Sequence, residues 1–226
     1  MDTAAAEFRR LAAPLRQQVL DALRQAIIEG RLAPGARLTE RELTAMMRVS
    51  RTVIREALRQ LESAGLIAII PHKGPVVRAL TLPEAKDLYQ IRAVLEGLAG
   101  RLFAEHADAA QLKRLAEALE VVVKAYAGGD AQRVLETKNR FYEVLFEGAG
   151  SETLSSMLGA LHARIWRWRA LGLSHPERSV QRSKESIRNL RAALSAIRKR
   201  DPDEAERITR EEANRAAAEV MRLLGA

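Results

Sequence analysis

With 226 residues, 47% of them apolar and 29% charged, the chain has the composition of an ordinary globular protein long enough for two domains. Cysteine is absent, which excludes disulfides, thiolate metal sites and a cysteine nucleophile. No run approaches the ~18 consecutive apolar residues that span a bilayer, and a start containing Asp2 and Glu7 is too polar for a signal peptide, so a cytoplasmic protein with no membrane partner is expected. The net charge of +8 is uneven: residues 1–78 hold thirteen Lys/Arg against eight Asp/Glu, and residues 79–226 hold twenty-four against twenty-one. An arginine-rich first third fits a polyanionic partner.

Leu15, Val19, Leu23, Ala26 and Ile27 recur at helical spacing and stop at Gly30. Leu32 to Leu38 contains a Pro34-Gly35 turn that cannot be helix interior. Thr39 with Glu42 reads as a capping box opening a short second helix over about Glu40 to Met47, which Arg48-Val49 interrupts. Ser50 caps a third helix that runs to Ala64, with Gly65 as its stop. The period then changes. Leu66 to Ile70 and Val76-Val77 are short apolar runs around the turn sequence Pro71-His72-Lys73-Gly74-Pro75, which predicts a two-stranded hairpin. Three helices and a hairpin within residues 1–78 make the plan of a winged helix-turn-helix.

Thr81-Leu82-Pro83-Glu84 marks a boundary, with Thr81 as cap and Glu84 completing a capping box. From there the pattern is all helical, at about 83–106, 108–127, 130–149, 152–172, 178–200 and 202–223, so the expected fold is mainly α, with residues 79–226 forming an all-helical domain.

The third helix carries the readable chemistry. Val53, Ile54, Ala57, Leu58 and Leu61 form one apolar stripe, and the opposite face shows Arg51, Thr52, Arg55 and Arg59. A recognition helix reads the major groove with its N-terminal residues, and an arginine fork can bond O6 and N7 of guanine together. Ser50 and the free amides of the first turn suit a phosphate. In the wing, Gly74 permits close approach to the DNA backbone, with His72 and Lys73 beside it. A solvated arginine face is the commoner meaning of one such helix alone; the short capped helix before it and the glycine-tipped basic wing after it favour DNA.

The stretch Ile28-Glu29-Gly30-Arg31-Leu32-Ala33-Pro34-Gly35-Ala36-Arg37-Leu38 is followed by Glu40-Arg41-Glu42-Leu43 and by Ser50-Arg51-Thr52-x-x-Arg55-Glu56-Ala57-Leu58-x-x-Leu61-Glu62. Together these closely resemble the GntR family of bacterial regulators over residues 15–78. The resemblance implies that Arg41, Arg51, Thr52, Arg55 and Gly74 contact double-stranded DNA, on a palindromic operator commonly built from GT and AC half-sites. Two positions depart from the family: Arg48 replaces a usual turn glycine, which is expected to strain the turn, and Val53 replaces a frequent proline.

The second domain resembles the FCD type of the FadR branch, through Leu88-Tyr89-x-x-Arg92-x-x-Leu95-Glu96, Phe141-x-x-x-Leu145-x-x-x-Ala149-Gly150 and Ala193-Leu194-x-x-Ile197-x-x-x-Asp201-Pro202-x-x-Ala205. Most domains of this type hold a divalent metal with one Asp or Asn and three His. The matching positions here are Lys138, Tyr142, Leu190 and Glu212, with Asn139 one position away from the acidic ligand. A cation, a phenol and an apolar side chain disfavour a divalent ion, so no metal or other cofactor is expected. Lys138, with Arg92 nearby, would instead hold an anionic effector such as a small carboxylate directly; the alternative is an inert Lys138–Glu212 salt bridge in an effector-less bundle.

His106, His162 and His175 lack ligand spacing and are expected at surfaces or helix ends, while Trp166 and Trp168 read as core or interface packing. No catalytic constellation is found. The expected protein is therefore a regulator rather than an enzyme, a homodimeric repressor by family resemblance, with a DNA-binding dimer lacking an effector pocket as the competing reading.

Overall fold

The computed structural model describes residues 2–28 and 30–224, and for residues 2–14 the backbone alone. Glu29, part of the turn sequence compared above, lies outside the described residues. The chain divides into two compact units, one ending at Leu80 and the other beginning at Thr81.

In the first unit, α1 (Asp2–Ile28) is followed by α2 (Glu40–Met47), α3 (Arg51–Ser63) and an antiparallel hairpin of β1 (Ile67–Ile70) and β2 (Gly74–Val77). The first helix begins well before the apolar stripe that revealed it. Its opening is polar and alanine-rich, and such residues favour helix without needing a buried face. The buried stripe of α3 packs on Val19, Leu20 and Leu23 of α1, with Ile54, Leu61 and Leu23 wholly buried. Gly74 and Pro75, expected in the turn, are drawn into β2, where they pair with Ile70 and Ile69. The connection shrinks to Pro71-His72-Lys73, closed by the Lys73 amide donating to the Ile70 carbonyl at 3.0 Å. An isolated bridge from Arg37 to Val76 ties the Pro-Gly turn segment to the wing.

The second unit is a helical bundle of α4 (Leu82–His106), α5 (Ala109–Gly128), α6 (Ala131–Gly148), α7 (Glu152–Ser174), α8 (Val180–Arg198) and α9 (Pro202–Leu224). The helix starts are locally encoded. Thr81 and Glu84 form a complete capping box, as do Asp108 and Gln111, while Asp130, Ser151 and Ser179 cap the next three helices. A core from Phe103, Leu115, Phe141, Leu158, Ile197 and their neighbours fills the bundle.

The packing of α9 on α4 depends on two missing side chains. A Cβ at Gly100 would lie 2.6 Å from Thr209 Oγ1 and 3.0 Å from the Ala205 carbonyl, and one at Gly97 3.1 Å from Arg210 Cβ. This close approach fixes the position of Glu212 one turn further along α9.

Candidate DNA interface and buried cation cluster

In the first unit, Ser50 caps α3 with its hydroxyl oxygen, accepting from the Val53 amide at 3.4 Å, which leaves its own proton free to donate. Arg41, Ser50, Arg51, Thr52 and Arg55 are all exposed, as are His72 and Lys73 at the wing tip. Burial of Val53, Ile54 and Ala57 leaves the arginines of the first turns nowhere to point but outward. Arg55 Nε donates to Glu40 Oε1 at 2.8 Å, a link from α3 back to α2, and Glu40 raises the guanidinium's affinity for its proton. Arg59 pairs with Glu56 at 3.1 Å. Glu40 is a participant that sequence reasoning missed. Arg48 adopts φ 54° and ψ 41°, the left-handed conformation for which the family uses glycine. In the wing, His72 (φ 61°) and Gly74 (φ 79°) are both left-handed, and a Cβ at Gly74 would meet nothing within 4 Å.

In the second unit, two buried carboxylates organise a cluster of cations. Glu96 on α4 takes a forked pair of bonds from Arg92, Nε at 2.7 Å and Nη2 at 3.2 Å, and lies 2.6 Å from His162 Nε2. The other ring nitrogen, Nδ1, lies 3.2 Å from Arg169 Nη1, and that nitrogen also donates to Asn139 Oδ1 at 2.6 Å. The geometry requires a neutral imidazole, protonated on Nε2 and accepting on Nδ1. Burial pushes His162 down to about 4, against the pull of Glu96. Burial would raise Glu96, but Arg92 and His162 outweigh it and hold it down to about 2.

Glu212 on α9 is the second hub. Its Oε1 accepts from Ser186 Oγ at 2.6 Å and Lys138 Nζ at 3.3 Å; its Oε2 accepts from Arg182 Nη2 at 3.0 Å and Asn189 Nδ2 at 3.1 Å. Burial pushes this carboxyl up, and the Lys138 and Arg182 charges more than reverse it.

Between the hubs lies a cavity of about 40 Å³, lined by Tyr89, Arg92, Lys138, Arg169, Arg178 and Arg182. Leu173, Ala216 and Val220 supply its apolar wall. Two polar atoms of lining residues, Tyr89 Oη and Arg182 Nη1, are buried without a hydrogen-bond partner among the described residues. Buried donors are normally satisfied, so each requires an explanation.

The five residues expected to form the effector pocket are therefore not one pocket. Arg92 and Lys138 line the cavity, whereas Tyr142, Leu190 and Glu212 line a separate void of about 10 Å³. Tyr142 is wholly enclosed, its ring edge-on to Phe141 and His162, and burial drives its hydroxyl strongly up. Lys138 is not the free charge expected of it, because Glu212 pairs with it. These side chains do not fit a divalent metal: Lys138 is a cation, Leu190 offers no donor, and Glu212 is engaged by four side chains. Among the described residues, no group of three or more His, Cys, Asp or Glu could hold a metal ion.

His162 corrects a further expectation. It lies at the centre of the buried network, not at a surface, because Leu158, His162, Ile165 and Arg169 share one face of α7. That stripe was the available signal for both His162 and Arg169, and Arg182, Ser186 and Leu190 form a similar one on α8. Trp166 is buried and Trp168 half-buried, in keeping with a packing role.

An exposed arginine-bearing recognition helix, a wing tipped by His72 and Lys73 and a helical bundle with a polar interior define a DNA-binding regulator with an appended helical domain. Residues 15–77 match the model of the bacterial regulatory proteins of the gntR family, and residues 87–214 match that of the FCD domain. The chain belongs to the GntR family of DNA-binding transcriptional regulators, which are not enzymes. It is 31% identical over 84% of its length to the "Probable D-xylose utilization operon transcriptional repressor" of Paenarthrobacter nicotinovorans, covering 81% of that protein. It is 28% identical over 86% of its length to the transcriptional repressor RspR of Escherichia coli, covering 83% of it. Among solved structures, McbR/YncC of E. coli has the same fold, with a TM-score of 0.79 at 24% identity over 92% of this chain and 97% of that one. No described helix is long and apolar enough to cross a membrane.

Proposed function

We propose that the protein is a cytoplasmic, homodimeric repressor that binds a palindromic operator and responds to a small anionic effector in its helical domain. In this reading Arg51, Thr52 and Arg55 meet base edges from α3, Ser50 and Arg41 hold phosphates, and the wing residues His72, Lys73 and Gly74 lie against the backbone or minor groove. Repression follows the names of the two relatives. The observation that carries the effector assignment is the cation-lined cavity with its unpartnered buried donors. The Lys138–Glu212 pair favours an effector-less domain, but it accounts for only one of the cavity's cations.

Dimerisation draws support from α4, whose Ile91, Val94 and Leu98 are exposed at successive helical turns. One apolar stripe on one helix can pack against its own copy about a twofold axis, and a twofold protein reads a twofold operator. Effector binding would shift the population between spacings of the two heads that do and do not fit the two half-sites.

The test is selection of bound sequences from random DNA, followed by titration of the selected site. A twofold-symmetric site is expected, and Arg51→Ala should weaken its binding about 100-fold with the helical circular-dichroism signal unchanged. A site without symmetry would end the dimeric reading, and normal binding by Arg51→Ala would displace α3 as the reading helix.

A further inference from the structure

The cavity of the helical domain holds more positive charge than its own carboxylates neutralise. Five cations line it: Arg92, Lys138, Arg169, Arg178 and Arg182. Glu96 offsets Arg92, and Glu212 offsets one of the Lys138 and Arg182 pair that shares it. Among the described residues Arg169 is bonded only to neutral groups, the Asn139 amide oxygen and His162. Arg178 is half-buried on the turn between α7 and α8, and Glu219, an acid that feels its charge, is already bound to Arg222 at 3.0 Å. Three positive charges are thus left over, two of them buried, and on the same wall Arg182 Nη1 and Tyr89 Oη lack hydrogen-bond partners among the described residues.

A buried unpaired charge is costly, and a protein that keeps several in one enclosed space has a mate for them. The strain is visible on Arg169, whose hold on its proton is pushed down to about 10, first by burial and then by Arg92. The lysine and arginines stand on α4, α6, α7, α8 and the turn between the last two and converge on one cavity, so they are not a surface run of basic residues. The cavity, of about 40 Å³, has room for roughly three waters. That small volume favours a compact ligand.

Resting on the reading of this domain as an anion sensor, we propose that its effector is a compact dianion, a small dicarboxylate or phosphoryl compound, held between Arg169 on one side and Arg182 with Lys138 on the other. Forked guanidinium contacts suit both oxyanion types, because two parallel N–H groups match two oxygens of a carboxylate or phosphate. Arg178, the lining residue on the exposed turn, adds a further cation to the same wall. The apolar wall of Leu173, Ala216 and Val220 faces the ligand's carbon skeleton.

The test is thermal unfolding of the full-length protein at constant ionic strength and neutral pH, with malonate, succinate, inorganic phosphate, acetate and malonamide as probes. Malonate, succinate or phosphate should raise Tm by several degrees along a saturating curve, and acetate and malonamide by less than one degree. A response to phosphate alone points to a phosphoryl effector, and one to the dicarboxylates alone to a carboxylate; both support the dianion. Arg169→Gln and Arg182→Gln should lose the shift yet unfold, without probe, no more than about two degrees below the wild type, since each removes a cation in excess of the carboxylates. Arg178→Ala, on an exposed turn, should weaken the response about tenfold. Equal stabilisation by acetate and malonate would overturn the dianion while leaving an anionic effector standing. A shift that survives Arg169→Gln and Arg182→Gln would overturn the placement, and no shift with any anion would overturn both the dianion and the sensing reading.

Discussion

In the winged head, the arginines aimed at DNA stand in water with few constraints: the Arg55 side chain is 60% exposed, and its partner Glu40 is itself partly solvated. In the helical domain, the Arg92 side chain is 2% exposed and bound to a carboxylate that is completely buried. The same residue type thus works under opposite electrostatics. Exposed guanidiniums gain little from a single acid and can leave it for a phosphate or a base at small cost. Buried ones are fixed by their carboxylates and respond only to something that enters their cavity. A head built to exchange partners is joined to a domain built to detect one.

The comparison breaks most sharply at Glu96. Removing it strands Arg92 in the interior and takes the hydrogen-bond acceptor from His162. Glu96→Leu is expected to cost about 3–5 kcal/mol of stability, measured by urea unfolding. A loss under 1 kcal/mol would mean that Arg92 finds another partner or water, and the hub would not be the organiser described here. Truncating Glu40 in the head should leave stability nearly unchanged.

His162 sharpens the same contrast through pH. Its folded-state value lies near 4, below the 6.5 of an unperturbed imidazole, so the unfolded chain binds the proton more readily. The His162 contribution to stability is therefore complete above pH 6.5 and is lost as pH falls from 6.5 towards 4, at no more than about 1.4 kcal/mol per pH unit. Glu96 is depressed instead, so its contribution holds above 4.5 and is lost as pH falls towards 2. The two windows overlap only between about 4.5 and 4. His162→Gln, which can still donate and accept, should flatten the decline between pH 6.5 and 4.5 and leave the steeper fall below it. An unchanged profile would place the titration on another group.

How much of this was legible depended on where the information sat. The head is written in local signals: the Pro34-Gly35 turn, the Ser50 cap, the α3 stripe and the Gly65 stop each act within a few residues. The helical domain's boundaries were legible for the same reason. Its interior was not, because Arg164, Arg167 and Arg169 look alike in sequence and only the rotation of α7 buries the last. Glu212 lies twenty-six residues from Ser186 and seventy-four from Lys138, and those bonds depend on α9 lying close against α4 at Gly97 and Gly100. Counting charges on predicted apolar faces would have found Arg169 and Arg182. Nothing local would have shown that Tyr142 and Leu190 close a separate void.

In the head itself, Arg55 tests how freely an exposed cation changes partners. Arg55→Ala should weaken operator binding about tenfold, in line with the loss of one base or phosphate contact. Glu40→Gln releases Arg55 from its acid and should strengthen binding by a few-fold at low salt, with the gain shrinking as salt rises. Fluorescence anisotropy at two salt concentrations measures both. Weaker binding by Glu40→Gln would show that the pair positions Arg55 for DNA and does not restrain it.

The smallest effect expected is at Arg48, and it isolates backbone from charge. Its left-handed conformation, φ 54°, costs a residue with a Cβ about 1 kcal/mol relative to glycine. Its amide donates to the Thr44 carbonyl, closing α2 and setting the turn into α3. Arg48→Gly should therefore stabilise the head by up to about 1 kcal/mol, with part of that gain offset by the greater freedom of glycine in the unfolded chain. Arg48→Asn keeps a side chain tolerated in this region and removes the charge, so it separates the two effects. If Arg48→Gly and Arg48→Asn both weaken DNA binding while stabilising the fold, the strain is kept because the side chain serves the DNA interface. If binding is untouched, the conformation is strain that α2 and α3 tolerate through their packing alone.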